Sequence, residues 1–197
     1  MTEYVVALTP GPRARDAVTE LKSRLRTAVG DQQYLDDEPH VTLYVGDLAV
    51  DSAEDLAVPR PDDPTFEISG WEVFRDDDVT GNHTLVCKIL SAGLGKYQQR
   101  VAGQMADHRR RTMIDRYRDA YDDFDPQRRE NLSTYGFPFV GDGWKPHLTI
   151  ASIDPDDFDE AWSVLEGDAP VGTYEFDAVT VYELVDGDLR ERVRRSV

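Results

Sequence analysis

The sequence predicts an α+β protein built as a bilobal pseudo-twofold duplication, with two antiparallel sheets flanked by helices and a central cleft. Three observations carry this expectation. The order strand, helix, strand, then connector or helix, then strand occurs twice along the chain. The strand segments are short apolar or alternating runs bounded by Gly, Pro and Asp. One pentapeptide pattern is written twice, as Pro39-His40-Val41-Thr42-Leu43 and Pro146-His147-Leu148-Thr149-Ile150, each on the equivalent strand of its half. A chain of 197 residues is long enough for one sizeable core. We therefore expect a single unit over residues 1–197, with lobe-forming repeats near 1–80 and 81–197 that need each other's apolar faces.

Taken in order, Glu3 to Leu8 is an apolar run ended by Thr9-Pro10-Gly11-Pro12, a buried strand and a turn. Ala14, Val18, Leu21, Leu25 and Ala28 repeat at helical spacing, with Gly30 as the stop. Pro39 opens a strand from His40 to Val45, and an Asp- and Pro-rich connector, Asp51 to Pro64, leads to alternation from Phe66 to Phe74. Gly81-Asn82 turns into a strand from His83 to Leu90.

In the second half, Leu94, Tyr97, Val101, Met105, His108, Met113, Tyr117 and Tyr121 form one long helical stripe. A polar and aromatic stretch, Asp125 to Trp144, precedes a strand from His147 to Ile153. Asp154 and Pro155 read as N-cap and first position of a helix through Phe158, Ala161, Trp162 and Leu165. Tyr174 to Val185 is a long strand, and Asp186-Gly187-Asp188 turns it into Leu189 to Val193.

Composition narrows the function. The N-terminus lacks the basic and long apolar regions of a secretory signal, and no stretch is long and apolar enough to span a bilayer, so a cytoplasmic protein without a membrane partner is expected. The single cysteine, Cys87, excludes an internal disulfide framework and a cysteine-based zinc site; it sits in an apolar run as a small core residue. The formal charge is -17, with 39 acidic against 22 basic residues. Such a field repels nucleic acid in dilute buffer, but at molar salt the Debye length shrinks to about 3 Å. A salt-rich, halophilic cytoplasm reconciles an acidic shell with an anionic substrate.

The paired motifs carry the chemistry. Side chains at i and i+2 share a strand face, so His40 projects with Thr42, and His147 with Thr149, while Val41, Leu43, Leu148 and Ile150 turn toward the helices. About a pseudo-twofold axis, two imidazoles and two hydroxyls meet in one cleft. One neutral imidazole can accept a proton while the other, charged, protonates a leaving oxygen, and threonine hydroxyls can donate to phosphate oxygens. No metal or cofactor is required. Tyr44 continues the His40 face and could line the cleft. Trp144, Tyr135, Phe137 and Phe139 could stack on a base, although loop aromatics more often anchor packing. Lys145, the lysine beside the second motif, could contact phosphate. Arg109, Arg110, Arg111, Arg116 and Arg118, with Arg128 and Arg129, are interleaved with Asp115, Asp119, Asp122 and Asp123, which favours pairing along helices over phosphate binding.

The two His-x-Thr-hydrophobic motifs resemble those of the two-histidine phosphoesterase superfamily, within it the 2'-5' RNA ligase and RNA cyclic phosphodiesterase branch. The resemblance implies hydrolysis of an RNA 2',3'-cyclic phosphate to a 2'-phosphate, with joining or opening of 2'-5' linkages also open to members. It makes His40 the proton donor and His147 the acceptor, with Thr42 and Thr149 on the phosphate, and RNA or a nucleotide bearing a 2',3'-cyclic phosphate or 2'-5' linkage the ligand of a monomer. Two other readings remain open: a cyclic phosphodiesterase of small nucleotides, and an RNA-end binding module without turnover. The stretch from Arg109 to Gly143 departs from the repeat.

Overall fold

A computed structural model describes residues 2–197. Seven strands and five helices follow the order β1 (Glu3–Pro10), α1 (Pro12–Val29), β2 (Val41–Asp47), β3 (Thr65–Phe74), β4 (His83–Leu90), α2 (Leu94–Ala106), α3 (Asp115–Asp119), α4 (Pro126–Tyr135), β5 (His147–Ile153), α5 (Phe158–Leu165), β6 (Gly172–Val185) and β7 (Asp188–Ser196). All strand pairs are antiparallel, in the order β2-β1-β6-β3-β4-β5, with β7 added to β6. The α+β duplication is thus present, and β6 joins its two sheets: Gly172–Glu175 pair with β3, while Phe176–Leu184 pair with β1.

The sheet folds on itself. Its two terminal strands, β2 and β5, come into contact, although they are the most distant in pairing order. Those are the motif strands. Helices exchange sides to hold them: α1, from the first half, packs on β5 and on α5, and α2, from the second, packs on β2. Gln98 of α2 donates through Nε2 to the carbonyls of Leu43 (3.0 Å) and Phe139 (3.0 Å), tying helix, motif strand and loop together. One cluster of buried apolar side chains runs through both halves, from Val6 and Leu8 to Leu148, Ile150 and Val181.

The local signals explain most elements. α1 carries Pro12 at its first turn and buries Ala14, Val18, Leu21 and Leu25 at the expected spacing. It stops at Gly30, whose positive φ of 76° suits glycine and whose N–H donates to Arg26 O. Lys22, on the same helix, is buried and donates to the carbonyls of Tyr34 (2.6 Å) and Asp37 (2.7 Å), which fixes the segment leading to His40.

Three expectations are corrected. The long stripe is not one helix: α2 ends at Ala106, and residues 107–114 run beside the end of β2. Backbone bonds Ala49 N–H to His108 O (2.6 Å) and Arg110 N–H to Asp47 O (2.9 Å) replace the helical ladder there, and Arg111 pairs with the buried Asp47 at 2.8 Å. His108 is accordingly exposed rather than on an apolar face. The stretch 125–144 contains a helix, α4, whose N-cap Asp125 accepts from Arg128 N–H (2.8 Å) with Pro126 next. Asp154-Pro155, read as the same signal, instead forms a turn in which Asp154 accepts from Asp156 N–H, and α5 starts at Phe158. No helix among the described residues is long and apolar enough to cross a membrane.

Candidate active site

His40 immediately precedes β2, and His147 is the first residue of β5. Each is anchored the same way. His40 Nδ1 lies 2.8 Å from the carbonyl of Glu38, and His147 Nδ1 lies 2.7 Å from the carbonyl of Lys145. A carbonyl only accepts, so Nδ1 carries the hydrogen in both rings and Nε2 is left to take or give a proton. The intervening prolines, Pro39 and Pro146, restrict the residue before them to extended geometry, which holds each carbonyl in place.

Each ring also rests on an aromatic from the strand two places along the same sheet. Tyr182 lies 5.8 Å from His40, and Phe74 lies 5.1 Å from His147 in an edge arrangement. These partners are themselves equivalent. Tyr182 of β6 pairs with Val5 two residues before Ala7, which faces Thr42, and Phe74 of β3 pairs with Thr84 two residues before Val86, which faces Thr149. Burial pushes the pKa of both histidines below the ordinary value, partly offset by the bond to the carbonyl. The charge of His40 lowers His147 further.

Both motif strands carry a bulge at the same place. Ala7 faces Thr42 but Val6 faces Tyr44, leaving Leu43 as the extra residue; Val86 faces Thr149 but Leu85 faces Ala151, leaving Ile150 as the extra residue. Alternation therefore breaks after each threonine. Tyr44 turns to the opposite face from Thr42, which corrects the expectation that it lines the cleft. It is fully buried, its ring 5.6 Å from Phe137, and its hydroxyl donates to Tyr135 O at 2.9 Å.

The other singled-out residues fall as follows. Trp144 is 9% exposed and its indole N–H donates to Thr42 O at 3.1 Å, so it ties the lead-in of the second motif to the first motif strand. Lys145 is exposed, pairs with Glu72 at 2.8 Å and sits 5.3 Å from the Phe74 ring. Phe137 and Phe139 pack with each other and with Tyr117 and Phe124. Within the arginine run, Arg111 and Arg118 pair with Asp115 and Arg128 with Asp125, while Arg111 and Arg128 also reach the distant Asp47 and Asp78.

Sequence reasoning missed the floor beneath His40. Thr9 and Thr180 hydroxyls lie 2.7 Å apart, and Tyr182 reaches Glu38 at 3.4 Å, where Arg194 also pairs at 3.3 Å. The signal was present in the alternation of Thr180 and Tyr182 along β6, but the partner strand could not be known. Among the described residues, no group of three or more His, Cys, Asp or Glu gathers as a metal site would need.

A duplicated antiparallel sheet, closed so that two strands headed by His-x-Thr meet, defines the two-histidine phosphoesterase class. The family model of the 2'-5' RNA ligase superfamily matches residues 9–188, and the chain belongs to that family, whose members act on phosphodiester bonds. Among solved structures, Escherichia coli LigT complexed with NADP+ is similar at 14% identity and a TM-score of 0.51, over all of this chain and 98% of that one. A phosphoesterase (15%, TM-score 0.48) and E. coli LigT complexed with 3'-AMP (16%, TM-score 0.48) are matched over 100% of this chain and 98% of each. No curated protein matches the sequence.

Proposed function

We propose that the protein is a metal-independent RNA 2',3'-cyclic phosphodiesterase, acting in the cytoplasm as a monomer. Water attacks the cyclic phosphorus while His147 Nε2 takes its proton. The bond from phosphorus to O3' breaks, His40 Nε2 protonates the leaving oxygen, and the product carries a 2'-phosphate and a 3'-hydroxyl. With a 5'-hydroxyl in place of water, the same two transfers form a 2'-5' linkage. Thr42 and Thr149 donate to the non-bridging oxygens, where negative charge builds.

The observation that carries this reading is the matched anchoring of the two rings: in both, Nδ1 is spent on a backbone carbonyl and Nε2 is free. The test is hydrolysis of a short RNA ending in a 2',3'-cyclic phosphate, at high salt with a chelator. We expect a 2'-phosphate product, and a loss of about 10²- to 10⁴-fold in rate for His40→Ala and for His147→Ala. Wild-type rates in both variants would defeat the assignment, and loss of activity on chelation would defeat the metal-free mechanism.

A further inference from the structure

The two walls of the cleft differ in a way that the duplication does not require. Two residues past Ala7 on β1 stands Thr9, fully buried and bonded to Thr180. At the matching place on β4, two residues past Val86, stands Lys88, which is exposed. Lys88 pairs in register with His147 on one side and with Gly70 on the other, so its side chain rises on the His147 face. Gly70 adds no side chain there, and a Cβ built on it would meet nothing within 4 Å. Along this face Thr84 and Val86 are buried while Lys88 and Leu90 are exposed, which puts Lys88 on the rim of the cleft.

Its charge is also uncommitted. The chain has four lysines against 39 carboxylates. Lys22 is buried on two carbonyls and Lys145 is held by Glu72, whereas Lys88 and Lys96 make no ion pair among the described residues, and of those two only Lys88 stands in register with a motif histidine. A free ammonium beside His147, in so acidic a protein, is matched to an anion that arrives with the ligand.

We propose that Lys88 is a second phosphate-binding position, holding the next phosphodiester of an oligonucleotide whose terminal phosphate lies between His40 and His147. The strand then leaves the cleft over the second lobe, because the hydroxyl floor closes the first. This rests on the function proposed above, and it deepens that reading by making the ligand a polynucleotide end rather than a mononucleotide.

The test compares the full-length protein with Lys88→Ala, Lys88→Arg and, as an exposed control on α2, Lys96→Ala. Binding of an RNA oligonucleotide ending in a 2'-phosphate is measured beside that of a nucleoside 2'-monophosphate, over a salt series. Lys88→Ala should weaken the oligonucleotide about tenfold, and the mononucleotide by no more than about twofold. It should also shift the slope of log affinity against log salt by about +0.7, the share of one single-strand phosphate contact. Lys88→Arg should restore binding, and Lys96→Ala should match wild type. Equal weakening of both ligands, no weakening of either, or a wild type that binds the oligonucleotide no more tightly than the mononucleotide would overturn the proposal. Lack of turnover by the wild type would defeat the function proposed above, while these binding constants still decide on Lys88.

Discussion

The two histidines were legible as a pair, since a motif repeated on equivalent strands of a duplication is a stronger signal than either copy. The groups that make them useful were not legible, because they are backbone. The Glu38 and Lys145 carbonyls set the tautomer of each ring, and no side-chain pattern announces a carbonyl. Their setting fixes the sign of a pH dependence. Both histidines have folded pKa values below the ordinary 6.5, so each ring is less than half protonated by pH 6.5 and the acid member of the pair thins out further above it. The profile of kcat/KM for cyclic-phosphate hydrolysis should therefore peak on the acidic side of that value and fall across neutrality, its limbs belonging to the coupled pair. An optimum well above pH 7 would contradict it. The same shifts make the fold less stable as pH falls below 6.5, because the unfolded chain takes up protons that the folded rings refuse. Tyr44 supplies the contrast. Its hydroxyl is bonded to Tyr135 O away from the cleft, so Tyr44→Phe should cost about 1 kcal/mol in urea unfolding with kcat unaltered. A loss of kcat without a loss of stability would return Tyr44 to the site.

At the scale of elements, β-strands and α1 followed their hydrophobic periods, and the departures have a common cause: competition from partners elsewhere in the chain. The 94–121 stripe kept its spacing only through Met105 and at Tyr117: His108 and Tyr121 are exposed and the off-pattern Ile114 is buried in place of Met113, because the backbone of 107–114 found better bonds along β2 than in a helix. The twin bulges at Leu43 and Ile150 were likewise invisible, since a bulge depends on the register of the partner strand. They matter because they let each threonine face the cleft while the rest of its strand turns into the core. Gly46 is the residue that permits the first. A Cβ at this position would lie 2.7 Å from Cε1 of the displaced Tyr44 ring, a distance no real contact tolerates. Gly46→Ala should then destabilise the fold by about 1–3 kcal/mol through overpacking, read as a lower denaturation midpoint. An unchanged midpoint would show that the ring has room to yield.

At the scale of the molecule, the sheet brings its two ends together, and the long-range pairs that do so join the first strands to the last. β1 lies between β2 and β6, and β6 extends past it to reach β3, so the cleft forms only when β6 has docked. That closure concentrates charge as well as chemistry. With a formal charge of -17 on 197 residues, compaction brings carboxylates together, and the free energy of folding in dilute buffer carries their repulsion. Many acids remain without a cation even though the arginines are heavily engaged, with Arg26 bridging Asp31 and Asp36 and Arg194 bridging Glu38, Asp177 and Glu191. Salt at about 2 M reduces the Debye length to a few ångströms, which relieves the long-range repulsion while leaving the short contacts and the apolar core. The melting temperature should therefore rise between about 0.1 M and about 2 M potassium chloride. A relief of about 2 kcal/mol corresponds to about 4–8 °C in a protein of this size. The KM for an RNA substrate should fall over the same range, because screening removes the repulsion between two polyanions faster than it weakens a single lysine contact. A flat melting temperature together with a rising KM would show that the acidic surface carries no repulsion worth screening, and that local cations, rather than salt, admit the substrate.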